Sequence, residues 1–210
     1  MEELFRAGGP VMWPLLGLSI LSVAAIAERC FFWVGFLLRE SEDVNKIVGT
    51  ARQNLQAAAQ IAQGAIDTPI GRFLYAPLAL EQPDPELFKL ALESAADEEL
   101  ANMLRGEKIL ESVVALAPLL GLLGTITGLI VSFGSLRIGD VSSNLRSGNL
   151  TKGIAEALIT TASGLIVAIA TLAFHRLFIA LHHKQVNIFR KAGNDLELIY
   201  RQYWQAGRKE

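Results

Sequence analysis

A single cysteine, Cys30, stands among the 210 residues, so no intramolecular disulfide can brace the chain. No CxxC and no His/Cys cluster with metal-ligand spacing occurs, so neither a metal nor another cofactor is expected. A basic excess is also missing. With 19 Lys and Arg against 21 Asp and Glu the net charge is −2, which excludes the broad cationic face that nucleic-acid binding needs. There is no β-type alternation, no internal repeat and no low-complexity run. Soluble-enzyme signatures are absent too: Ala162-Ser163-Gly164 lacks the first glycine of GxSxG, and neither GxxxxGK[ST] nor HExxH appears. Ser132, Ser163 and His175 lack the spacing of a nucleophile and its base, which argues against an intramembrane enzyme.

The most telling shortage is of charge within two stretches. Ser112–Leu136 is 25 residues without a charged side chain, and Ala157–Phe174 another 18. A hydrocarbon core of about 30 Å is crossed by roughly 20 apolar residues at 1.5 Å each, and buried helices of soluble proteins are rarely so long or so evenly apolar. A third apolar stretch runs from Val11 to Leu38, interrupted by Glu28 and Arg29. It reads as an uncleaved span. Met1-Glu2-Glu3-Leu4-Phe5-Arg6 is not a basic n-region, and no small-x-small cleavage site follows before the chain turns apolar again at Cys30.

The expectation is an all-α membrane protein with three transmembrane helices and long cytoplasmic helical extensions. Residues 1–38 hold the N-terminal end and span 1, 39–108 a helical extra-membrane region, and 109–136 span 2. Residues 137–152 form a short polar connection, 153–181 span 3, and 182–210 a basic amphipathic tail helix. Within 39–108, Asp67-Thr68-Pro69 and Asp84-Pro85-Glu86 each place a capping residue beside a proline able to open a helix. The helix that follows presents Leu87, Leu90, Ala91, Ser94 and Ala95 at helical spacing, with Glu93, Asp97, Glu98 and Glu99 off that face, and is expected to run through Gly106 into span 2. Glu28 and Arg29 either find partners on a neighbouring helix or, in the simpler reading, sit at the interface. Cys30 is read as a small packing residue, His175 as a boundary residue or satisfied polar contact, and His182-His183 as the solvated start of the tail.

Orientation follows from counting cations. The tail has six Lys/Arg and residues 39–108 seven, against three in the short connection and one in the first ten residues. The positive-inside rule then places the N-terminus and the connection outside, and the helical region and tail in the cytoplasm, where the tail's cations also attract anionic lipid.

Two helix faces carry candidate chemistry. In span 2, Gly121, Thr125, Gly128, Ser132 and Ser135 recur at three- and four-residue steps, and Gly124 and Gly128 form a GxxxG. Such a stripe lets membrane helices approach closely, and plain helix packing is the simplest reading of it. In span 3, stepping 100° per residue from Glu156, one arc of roughly 140° collects Thr160, Thr171, Gly164, Ala157, His175, Ala168 and Thr161. Phe174 and Val167 are its only large residues, and the opposite arc holds Leu158, Ile159, Leu165, Ile166, Ile169 and Leu172. Two such helices around an oligomer axis would line a narrow path with hydroxyls, where a carboxylate can take up and release a proton. Glu156 has an equally good second reading. It lies four residues past Lys152 and about 30 Å from Arg176, so the two charges could simply mark the membrane boundaries.

Leu116-Ala117-Pro118-Leu119-Leu120-Gly121-Leu122-Leu123-Gly124-Thr125-Ile126-Thr127-Gly128-Leu129-Ile130, followed by Phe133, resembles span 2 of the MotA/TolQ/ExbB proton-channel family. Gly153-Ile154-Ala155-Glu156-Ala157-Leu158-Ile159-Thr160-Thr161-Ala162-Ser163-Gly164-Leu165 resembles the start of that family's span 3. The layout matches along nearly the whole chain and the motifs along about a third of it. The resemblance implies a homo-oligomer, a pentamer in the better-known members, around the single spans of an ExbD-, TolR- or MotB-type partner. It further implies a bacterial inner-membrane location and proton flow that drives an outer-membrane task. Glu156 then corresponds to the family's span 3 glutamate, Thr125 to the pore threonine of span 2 and Thr161 to that of span 3. Thr160 shares the Glu156 arc, while Gly121, Gly124, Gly128 and Gly164 serve close packing. The pore aspartate belongs to the partner. Size and motifs look most like ExbB, which works with a TonB-type protein. TolQ is the second branch, and a purely structural membrane scaffold the alternative from a different class.

Overall fold

The computed structural model describes residues 8–37, 40–134 and 143–208. Outside them lie Ser135 of the small stripe, the first part of the expected connection, the 1–6 segment weighed as an n-region, the end of span 1 at 38, and 209–210 of the tail. Among the described residues there are seven helices and no strand: α1 (Met12–Leu37), α2 (Glu40–Ala51), α3 (Leu55–Gly64), α4 (Pro69–Leu78), α5 (Pro85–Met103), α6 (Glu107–Gly134) and α7 (Ser143–Gly207). Three stretches are long and apolar enough to cross a membrane: Met12–Phe36, one within Pro85–Gly134 and one within Thr151–Gly207. The protein is thus all-α with three membrane-crossing helices. At 65 residues, α7 far exceeds the roughly 20 that a crossing requires. It already starts at Ser143, inside the stretch read from sequence as a connection.

The chain divides into two compact units: the chain up to Glu28 with Gly106–Leu177, and Arg29–Arg105 with the chain from Phe178 onward. The first unit is inverted relative to a soluble protein. Its exposed side chains are large and apolar, among them Leu119, Ile130, Val131, Ile166 and Ile169, each at least 60% exposed. Its buried positions are mostly small or hydroxyl-bearing: Gly121, Gly124, Gly128 and Ser132 on α6, and Ala157, Thr160, Gly164, Ala168 and Thr171 on α7. Lipid gives apolar side chains no reason to leave it, so association in a bilayer selects small residues that bring backbones close. Leu15, Val113, Ala117 and Ala168 form the core, flanked by Met12, Leu18, Leu120 and Val167. Of the apolar arc expected on span 3, Leu158, Leu165, Ile166, Ile169 and Leu172 are exposed and Ile159 is half-buried.

The second unit packs like a soluble helical domain. Asn54 caps α3 by accepting from the amides of Gln56 and Ala57. Thr68, with Pro69 in the first turn, caps α4 through the Gly71 amide, and Asp84, with Pro85, caps α5 through the Leu87 amide at 2.7 Å. Phe73 stacks on Phe189 with ring centroids 4.7 Å apart, and Phe88 lies face to face on Tyr200 at 3.9 Å. The Tyr200 hydroxyl donates to the Pro83 carbonyl. Gly71 is required where it stands, since a β-carbon there would lie 2.0 Å from the Ala65 carbonyl oxygen.

Two expectations are corrected here. The buried stripe of α5 is Phe88, Leu92, Glu99 and Met103, while Leu87 and Leu90 are 47% and 60% exposed. Glu99 decides the outcome. Its carboxylate is gripped by Arg72, with Nε donating to Oε1 at 2.6 Å and Nη2 to Oε2 at 2.7 Å. The same guanidinium donates to the carbonyls of Ile66 and Asp67 just beyond α3. The hydrogen bond to Glu99 also holds the Arg72 pKa above its ordinary value. The second correction is the path into span 2. α5 stops at Met103, Gly106 takes a left-handed φ of 85°, and α6 starts anew at Glu107. Of the two readings open for Arg29, the structure takes the partner on another helix, and Arg29 is buried. Its Nη1 donates to the Met103 carbonyl at the end of α5, where helix carbonyls lack partners and a cation is favoured.

Arg72→Leu is expected to strand the Glu99 carboxylate in the core and to cost about 2 kcal/mol, partial exposure of Arg72 keeping the loss below that of a fully buried pair. Glu99→Gln, which keeps an accepting oxygen, should cost less. Thermal unfolding of the purified variants checks both the loss and the order.

Candidate functional site

The candidate site is built on the contact between α6 and α7 in the first unit. The two run antiparallel, so successive positions on one meet receding positions on the other. A β-carbon built at Gly124 would fall 2.3 Å from Thr160 Cγ2. One at Gly121 would fall 3.1 Å from Thr161 Cα, one at Gly128 2.9 Å from the Gly153 carbonyl, and one at Gly164 2.6 Å from the Ala117 carbonyl. Gly153 itself faces Ser132, whose Oγ would stand 1.8 Å from a β-carbon. Gly121, Gly124, Gly128 and Gly164 are therefore all at the helix contact, with backbone meeting backbone at Gly164.

The hydroxyls are tied to carbonyls. Thr161 Oγ1 donates across the contact to the Gly121 carbonyl at 2.8 Å. Thr160, fully buried, stands 2.8 Å from both the Glu156 carbonyl of its own helix and the Gly8 carbonyl ahead of α1, so its single proton serves two acceptors. Thr125 is half-buried and donates to Leu122 within α6. Deeper along α7, Thr171 and Ser22 of α1 hydrogen bond at 2.6 Å. Much of the hydroxyl arc expected to line a path thus seats α7 against α6 and α1 of the same chain.

Glu156 lies at the edge of this contact, half-buried. Its carboxylate rests against the backbone of Gly9, which has a φ of 70° and would bring a β-carbon within 1.7 Å of Oε1. Among the described residues the carboxylate has no hydrogen-bond or ion-pair partner. Glu156 and Thr161 stand about 140° apart around α7, with buried Ala157, Thr160 and Gly164 between them. The single chain therefore does not gather Glu156, Thr161 and Thr125 into one hydrogen-bonded cluster. Gly8, Gly9 and Ser22 escaped the sequence reading, although Gly8-Gly9-Pro10 is a recognisable turn signal ahead of an apolar run.

Other sequence candidates are placed plainly. Cys30 is a half-buried free thiol. His175 is half-buried, and among the described residues its enclosed Nδ1 has no hydrogen-bond partner. His182 is half-buried with Nε2 3.3 Å from the Leu100 carbonyl, whereas His183 is exposed. No group of metal-binding side chains occurs among the described residues.

These features define a multi-pass helical membrane protein whose helices α6 and α7 meet through glycine, alanine, serine and threonine beside one carboxylate. The chain belongs to the MotA/TolQ/ExbB proton channel family, whose model matches residues 65–191. A protein of Synechocystis sp. described as "Putative biopolymer transport protein ExbB-like 1" is 48% identical over 200 residues, covering 95% of this chain and 79% of its own length. A second from the same organism, "Putative biopolymer transport protein ExbB-like 3", is 42% identical over 94% of this chain and 93% of its own length. The "Tol-Pal system protein TolQ" of Haemophilus influenzae is 32% identical over 75% of this chain and 68% of its own. The protein is accordingly a membrane proton-channel component of a family that acts with partner proteins in a complex.

Proposed function

We propose that the chain is the ExbB-like subunit of an inner-membrane proton motor. Five copies surround single-span ExbD-type partners, and proton flow is coupled through a TonB-type protein to outer-membrane transport. The observation that carries the reading is the half-buried Glu156 carboxylate at the edge of a helix pair packed through small residues. In this reading the N-terminus is periplasmic, the second unit and the tail are cytoplasmic, and Glu156 lies toward the outer mouth of the path. Glu156 takes up and releases the proton. Thr161 and Thr125, half-buried at the flanks of the α6–α7 contact, complete the polar lining once neighbouring subunits are in place. Thr160 holds the backbone beside Glu156, and the partner's intramembrane aspartate is the second proton carrier. The 48% and 42% identities to ExbB-like relatives favour this branch.

The match to TolQ keeps a second reading in play, a Tol-Pal-type envelope motor. Deleting the gene separates them. The ExbB-like role leads to loss of receptor-dependent, energised uptake with the envelope intact. Leakage of periplasmic proteins with uptake preserved would instead establish the TolQ-like role.

A further inference from the structure

We infer that the Gly8-Gly9 turn ahead of α1 is a positioning device for the Glu156 carboxylate, holding it at the edge of the α6–α7 contact and shielding it from the surrounding medium. The inference rests on the reading of Glu156 as the proton carrier. Three observations on different atoms meet at this place. Gly9 has a φ of 70°, and the space its missing side chain leaves is filled by Glu156, with Oε1, Cδ and Cγ all within 3.3 Å of where a β-carbon would stand. One residue earlier, the Gly8 carbonyl accepts from Thr160, the same hydroxyl that binds the Glu156 carbonyl, so the turn is fastened one helical turn from the carboxylate. A β-carbon at Gly8 would meet Met12 of α1, with Cγ at 2.5 Å, and Ile159 of α7, with Cγ2 at 3.5 Å. The turn is joined directly to α1, with the Met12 amide bonded to the Gly9 carbonyl at 3.2 Å and the Trp13 amide to that of Pro10 at 3.4 Å. A shift of α1 is therefore felt at the carboxylate.

Glycine is needed here for two separable reasons. Any other L-residue is strained at this φ, and any β-carbon collides with Glu156. The side-chain collision is the part that bears on function. A β-carbon must push the carboxylate outward or lift the turn from it, and both leave the carboxyl group more open.

The test uses the full-length protein in membranes and two readouts. The first is the rate at which a hydrophobic carbodiimide modifies Glu156, read by mass spectrometry. The second is the melting temperature of wild type, G9A, E156A and G9A/E156A in detergent. The expected results are a severalfold faster modification of Glu156 in G9A, and a melting penalty of G9A that shrinks clearly when E156A removes the carboxylate. The residual penalty measures backbone strain alone. An unchanged modification rate overturns the positioning role even if melting shows coupling, because the contact would then be only structural. An equal melting penalty in both backgrounds overturns the contact itself. Neither result bears on the proton-carrier reading, which fails separately if E156Q retains full energised activity.

Discussion

Replacing Glu156 with glutamine is expected to reduce energised outer-membrane uptake to the level of a deletion strain, while the chain still inserts and co-purifies with its partner. Glutamine has nearly the same size and can make the same contact with Gly9, so packing is preserved. It cannot take up and release a proton in the working range. If Glu156 merely marked the membrane boundary, an uncharged isostere at a half-buried interfacial position would be close to silent. The two readings thus differ by the whole of the activity. Glu156→Asp is an intermediate case. It keeps the proton chemistry but draws the carboxyl group back by one methylene, and should retain part of the uptake.

The second large effect concerns the glycines. Gly164→Leu is expected to break the α6–α7 contact and to prevent assembly, because the new side chain meets the Ala117 carbonyl, fixed backbone that cannot rotate away. Gly124→Leu should follow, its obstacle being Thr160, a branched side chain fully buried between helices. Ordinary overpacking costs about 1–3 kcal/mol; a collision with backbone should exceed that. Gly17, where an added β-carbon would meet no described side chain or other helix within 4 Å, provides the control, and Gly17→Ala should leave the melting temperature nearly unchanged. Size-exclusion profiles and yields from membranes read the series. A scaffold without proton chemistry would share this ranking but not the loss in Glu156→Gln. The two experiments together therefore distinguish a motor subunit from a structural one.

The membrane architecture was legible because its signal is local and strong. Charge-free runs of 25 and 18 residues leave few alternatives, and the small residues of α6 are evenly spaced at the helical period. Capping was equally readable at Thr68-Pro69 and Asp84-Pro85, since each signal lies within four residues of its target amide. The face of α5 was not. Apolar residues occur on two faces of that helix, and the buried one carries Glu99, which sequence places outside. Only Arg72, 27 residues away, makes its burial tolerable. A lone Gly106 in an otherwise helical pattern does not by itself signal a break, yet its left-handed φ separates α5 from α6. At the site, Glu156, Thr160 and the glycines could be named from helical spacing and from the family motif. Which of them would face α6, which α1, and which stay open depends on contacts such as Thr160 with Gly8, 152 positions apart. No periodicity encodes that pairing. It also explains why the hydroxyl arc looked like the wall of a path, although much of it seats α7 within its own chain.

Proton flux into vesicles tests the central claim most directly. Purified wild-type and Glu156→Gln complexes, each reconstituted with the single-span partner, are given the same imposed pH difference and followed with an internal pH dye. Wild type is expected to acidify the lumen faster than empty vesicles, and Glu156→Gln to match the empty vesicles. Equal, above-background flux through both complexes would contradict the assignment of Glu156 as the proton carrier.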